Sequence, residues 1–159
     1  MGYDIYILDR EAKLISGPDN YFRIGAFQMP TYLEAMGIFG MITQTPCPTP
    51  KPADFQLTPE DFRHTAENAP EVTQRLDAYR AACAAALEMA DPEPTGIPAY
   101  KLQYNDGFRI TVAEITAALD RYRAHPDADA AELPRRDSWW QEWTAFLRRA
   151  TTYGGLRVH

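Results

Sequence analysis

The chain has 159 residues, of which 45% are hydrophobic and 24% charged, with a formal net charge of −6. That length and composition suit a globular domain with a real core. The acidic balance argues against a nucleic-acid scaffold that must neutralise many phosphates, so no nucleic-acid partner is expected. No apolar run is long enough to span a bilayer, and the Met1–Asp9 stretch lacks the basic start of a signal peptide, so no membrane is expected either. Charge is unevenly spread. Residues 51–98 hold nine acids and four bases, residues 99–159 eight acids and nine bases. Only the C-terminal part can offer a basic face. Two distant cysteines, Cys47 and Cys83, fit a reducing cytoplasm.

Tyr3–Leu8 alternates and is rich in Tyr and Ile, which predicts a strand. Gly17-Pro18 marks a turn, and Tyr21–Phe27 is a second strand with Phe22 and Ile24 on one face and Tyr21 and Arg23 on the other. Pro30–Phe39 reads as a short helix, with Thr31 and Glu34 at capping-box spacing and Gly40 as its stop. Residues 45–52 carry four prolines in eight positions, which predicts an extended connector.

Thr58-Pro59-Glu60-Asp61 starts a helix, expected to end near Glu67: a cap, a proline at the first position, then acids facing the helix dipole. From Pro70 to Ala90, Val72, Leu76, Tyr79, Cys83 and Leu87 step by three or four, predicting the longest helix. Ala99–Tyr104 alternates Tyr100, Leu102 and Tyr104 against Lys101 and Gln103, the pattern of a half-buried strand. Asp106-Gly107 then predicts a tight hairpin into Phe108–Ile110. Thr111 and Glu114 form a capping box, with Ile110 and Ile115 placed as a hydrophobic staple, for a helix that stops before Pro126. Residues 125–134 read as an acidic, alanine-rich loop.

The last helix starts at Ser138, with Gln141 at capping-box spacing, and carries Arg148 and Arg149 at its negative end. At about 100° per residue, Trp139, Trp140, Trp143, Phe146, Leu147 and Ala150 fall in one arc roughly 120° wide. Such an arc is either core packing or a docking face with aromatic anchors. Leu156–Val158 is expected to return as an edge strand. The predicted fold is one α+β domain over residues 1–159: a small, mainly antiparallel sheet under about four helices.

Catalytic signals are weak. There is no GxSxG elbow, P-loop or GxGxxG, and the isolated histidines and cysteines give no zinc spacing. No catalytic residue, cofactor or metal ligand is assigned. Two surfaces remain as candidates. Arg23, Asp106 and Arg109 are candidate ligand-binding residues, because arginines grip a carboxylate or phosphate bidentately. Trp140, Arg148 and Arg149 are candidate partner-binding residues, because Trp and Arg dominate interface hot spots.

Several landmarks also form a recognisable set: the opening Met1-Gly2-Tyr3-Asp4, Tyr21-Phe22-Arg23, Asn105-Asp106-Gly107-Phe108 with Thr111 and Glu114, and Trp139-Trp140-x-x-Trp143-x-x-Phe146-Leu147 before Gly154-Gly155. The set resembles small proteins of unassigned function from actinobacteria and their phages. That resemblance implies a phage or mobile-element accessory protein that binds a host protein, and implies no activity. The expectation is therefore a non-enzymatic cytoplasmic interaction module, binding a protein or a second copy of itself near the last helix. The alternative is a binder of an anionic, nucleotide-like ligand held against Arg23 and Arg109, or a simple hydrolase, with Asp106 as base or metal ligand. DNA mimicry by the acidic middle segment ranks last, because helical spacing scatters its acids.

Overall fold

The computed structural model describes residues 2–63, 65, 68–126 and 137–159; the expected helix end at Glu67 and most of the predicted 125–134 loop lie outside them. The fold is α+β. Contacts divide the chain into two compact units, Met1–Pro46 with Ala90–His159, and Cys47–Met89. The boundary falls inside the predicted proline-rich connector, where residues 44–51 carry no regular structure.

The larger unit is built on β1 (Gly2–Ile7), β2 (Tyr21–Gly25), β5 (Phe108–Ile110) and β6 (Leu156–Val158), in the antiparallel order β2-β1-β6-β5. Period-2 alternation turns Ile5, Ile7, Ile24, Ile110, Leu156 and Val158 to one side, where they are fully buried. Three helices contribute to the same core: α1 (Met29–Ile38) through Met36, α5 (Val112–Ala124) through Ile115 and Leu119, and α6 (Ser138–Thr151) through Trp140, Trp143 and Leu147. A two-residue parallel pair joins β3 (Ile42–Thr43) to β4 (Ile97–Pro98).

The structure differs from the sequence expectations at several points. β6 is central, not an edge: it sits between β1 and β5. Gly154 and Gly155 permit this approach. A Cβ on Gly154 would stand 1.7 Å from the Asp9 carbonyl oxygen, and Gly155 has φ +97°. Residues 99–104 form no strand. Tyr100–Gln103 is instead a single helical turn, α4, so the expected hairpin is absent and β5 pairs only with β6. The strand pattern failed there because Lys101, expected on a wet face, is fully buried with Tyr100 and Leu102. α1 begins at Met29 with Gln28 as its cap, which moves Thr31 inside the first turn and leaves its capping box unformed. α6 is capped at Asp137 rather than Ser138.

Two local readings hold. Thr111 and Glu114 form the full capping box of α5, and the helix ends before Pro126. Gly40, at φ +66°, closes α1, and the Met41 N–H reaches back to the Met36 carbonyl at 2.9 Å.

In the smaller unit, α2 (Pro59–Arg63) is capped by Asp61, whose carboxylate accepts from the Thr58 N–H at 2.7 Å and the Thr58 hydroxyl at 2.9 Å. α3 (Pro70–Leu87) sets Tyr79 against the rings of Phe55 and Phe62, at 5.5 and 5.7 Å between centroids.

Candidate functional site

Directly paired residues of an antiparallel sheet project to the same side. The register therefore assembles two rows on the face opposite the helices. Tyr21, Tyr6, Arg157 and Arg109 form the first, one residue from each strand. Arg23, Asp4 and His159 form the second: Arg23 opposes Asp4, and Asp4 exchanges both backbone hydrogen bonds with His159. Arg23 and His159 are exposed and the other five half-buried. The helix-facing side of the same strands is almost wholly apolar, so the sheet is two-faced: sealed on one side, aromatic and cationic on the other.

The geometry of this face is specific. The Tyr21 hydroxyl donates to Asp4 Oδ1 at 2.5 Å, and Arg23 Nη1 lies 3.8 Å from the same oxygen. The hydrogen bond to Asp4 is the main cause that raises the Tyr21 pKa above its ordinary value, with burial adding to it. Tyr21 is thereby held neutral, the opposite of what an activated phenolic acid or nucleophile requires. The Tyr6 ring stands 5.2 Å from Tyr21 and 6.1 Å from His159, edge-on to the latter. Arg157 Nη1 donates to the Gly107 carbonyl at 2.8 Å, which anchors its guanidinium toward β5.

Of the sequence-predicted ligand residues, Arg23 and Arg109 do reach one face, but from opposite edge strands. Three interstrand spacings of about 4.8 Å, roughly 14 Å, separate their rows of origin. They therefore form no single-anion clamp. Asp106 sits exposed in the turn before β5, outside both rows, and is not placed as their common base. Tyr6 and Arg157 are not among the sequence candidates. The alternation of Leu156-Arg157-Val158 was a usable signal for Arg157, but its neighbours depended on β6 being central.

Of the predicted partner-binding residues, Trp140 is corrected: it is 1% exposed, beside Trp143 at 0%. The Trp140 Nε1–H donates to the Tyr122 hydroxyl at 3.2 Å, within a ring cluster that includes Phe39. The aromatic arc of α6 is core. Arg149 is spent on architecture: its Nε and Nη2 donate to Asn20 Oδ1 at 3.2 and 3.1 Å, beside a groove of about 500 Å³ between the Pro18–Asn20 turn and α6. Arg148 is exposed next to a pocket of about 310 Å³ floored by Tyr122, Trp140 and Thr144.

Cys47 and Cys83 are unbridged. Among the described residues, no three His, Cys, Asp or Glu side chains are placed to hold a metal ion, and no helix is long and apolar enough to cross a membrane. Comparison with known proteins finds no family model, no curated protein and no solved structure that matches the chain.

Proposed function

We propose that this chain is a non-enzymatic recognition module that takes an anionic partner on the polar face of its sheet. One observation carries the reading: the strand register gathers three arginines, two tyrosines and a histidine on the side of the sheet opposite the core formed with α1, α5 and α6. Tyr and Arg are the side chains enriched where proteins bind other molecules, and a rigid sheet presents them with little ordering cost. The only carboxylate in the two rows, Asp4, is already engaged by Tyr21 and Arg23. The sheet face is preferred to the last helix because Trp140 and Trp143, two of that helix's three indoles, are enclosed.

Amide chemical-shift mapping tests this. The ¹⁵N-labelled chain is titrated with an acidic peptide, a heparin fragment, nucleoside phosphates and a short oligonucleotide. Shifts clustered on Asp4, Tyr6, Tyr21, Arg109 and Arg157 support the module. Shifts confined to α6, or none with any probe, end it.

A further inference from the structure

We infer that the outer edge of β2 binds a short extended segment of a partner protein, which adds a strand to the sheet and lays a basic side chain into the groove between β2 and α6. This is separate from the sheet-face reading: it uses another surface and a partner of opposite charge. β2 is an end strand of its sheet. The register fixes which of its main-chain groups point outward. Asp4 exchanges both backbone hydrogen bonds with His159 on the β6 side, so Arg23, opposite Asp4, turns its N–H and C=O away from β1. Tyr21 and Gly25 share that orientation through the period of two. The chain itself closes both ends of this edge. The Tyr21 N–H donates to the Pro18 carbonyl, the Gly25 N–H donates to Gln28 Oε1 at 3.2 Å, and the Gly25 carbonyl accepts from the Gln28 N–H at 2.8 Å. Between these ends, the Arg23 N–H, the Arg23 carbonyl and the Tyr21 carbonyl meet no backbone partner among the described residues. An antiparallel peptide matches that window. Its residue opposite Arg23 exchanges two hydrogen bonds, and the residue two positions further on donates to the Tyr21 carbonyl.

The groove of about 500 Å³ decides what side chain the segment carries. It is lined by Asp19, by Tyr21 and Phe22 of β2, and by Glu142, Ala145 and Phe146 of α6. Successive strand residues point to opposite faces, so a groove touching both Tyr21 and Phe22 opens along the strand edge. A side chain on the helix side of an added strand enters it. Asp19 and Glu142 are exposed and form no hydrogen bond or ion pair with another described residue, whereas Arg149, on the same groove, already donates to Asn20. A lysine or arginine fits this wall: its aliphatic stem covers Phe22 and Phe146, and its charged end meets the carboxylates. Other occupants fit worse. A second copy, pairing β2 with β2 about a two-fold axis at Arg23, would set the two Arg23 side chains directly opposite each other, a repulsive like-charge pair. A nucleic acid would bring phosphates toward the two carboxylates and has no amide ladder for the edge.

The full ¹⁵N-labelled chain is titrated with acetyl-Val-Thr-Lys-Thr-Val-amide, whose lysine and valines share one side when extended. The amides of Arg23, Glu142 and Ala145 are expected to shift, and the Arg23 amide to exchange more slowly with solvent. Two control peptides should leave these signals unmoved: one methylated on both threonine amides, which cannot donate to the edge, and one with glutamate in place of lysine. Glu142→Gln and Asp19→Asn, both at exposed positions, should each weaken binding about 1.5–5-fold, the range of one exposed ion pair, and added salt should weaken it as well. Circular dichroism confirms that each variant is folded. No shift at Arg23 with the lysine peptide, equal binding of either control peptide, or full affinity in both variants overturns the inference. The sheet-face reading is decided apart from this, because it stands or falls on anionic probes and on signals from Tyr6, Arg109 and Arg157.

Discussion

Lys101 and Glu114 form a fully buried ion pair: Lys101 Nζ donates to both carboxylate oxygens of Glu114, at 2.8 and 3.0 Å, with 1% and 0% of the two side chains exposed. The same carboxylate accepts the Thr111 N–H at 2.8 Å and the Asp91 N–H at 3.2 Å. One side chain thus caps α5, ties down the start of the 91–98 segment and neutralises a lysine. Charges taken out of water need this degree of satisfaction to be tolerated. Lys101→Met should cost about 3–5 kcal/mol, because it strands a buried carboxylate. Adding Glu114→Gln should recover part of that loss. Urea denaturation of the two single variants and the double variant checks both statements through the coupling energy.

Trp140 should behave as a core residue. Trp140→Ala removes a ring that packs on Phe39 and Tyr122, and should cost about 3–5 kcal/mol. Phe27 is the contrast. It is 99% exposed in the turn after β2, and Phe27→Ser should change stability by no more than about 0.5 kcal/mol. Thermal melts of both variants decide whether the aromatic content of this chain is structural where the burial places it.

Tyr21 should titrate above an ordinary tyrosine. Its neutral form is favoured in the folded chain by Asp4, so the associated stability is present below the ordinary pKa of 10.0 and lost as pH rises through the raised folded value. Asp4→Asn should bring that titration down toward 10.0. Carbon NMR titration of the tyrosine Cζ signals, with the Tyr21 signal assigned by its loss in Tyr21→Phe, follows the group in the wild type and in this variant.

Asp61 carries the opposite sign. Its hydrogen bonds from Thr58, the backbone N–H first and then the hydroxyl, hold its carboxyl below the ordinary 3.8. The ionised form is favoured by folding, so its contribution is complete above 3.8 and disappears as pH falls through the lower folded value. Thr58→Ala should move the carboxyl part of the way back up, as measured by carbon NMR titration.

Gly154 should accept no side chain. Its missing Cβ is where the Asp9 carbonyl lies, so Gly154→Ala must push β6 away from β1 and is expected to unfold the larger unit or leave it with several kcal/mol less stability. Loss of dispersed amide signals from the sheet is the readout.

What the chain declares locally, it declares well. The Thr111–Glu114 capping box, the Thr58-Pro59 start, the stop at Gly40 and the apolar arc of α6 all depend on residues within one or two turns of each other, where hydrogen-bond reach and the 3.6-residue period leave few options. The alternation of Leu156-Arg157-Val158 likewise announces a strand with a polar face. Which strand lies beside it is a different matter. Pairing partners about fifty residues apart for β5 and about a hundred and fifty for β1 leave no local trace, so the placement of β6 between β1 and β5 belongs to the tertiary structure, and with it the meeting of Tyr6, Arg157 and Arg109. Lys101 shows the same division. Its alternation with Tyr100 and Leu102 reads as a wet strand face, and only the buried carboxylate of Glu114, thirteen residues on, makes a helical turn with an enclosed cation the lower-energy solution. Short-range geometry determines where elements begin and end; long-range desolvation and pairing decide which side chains share a surface.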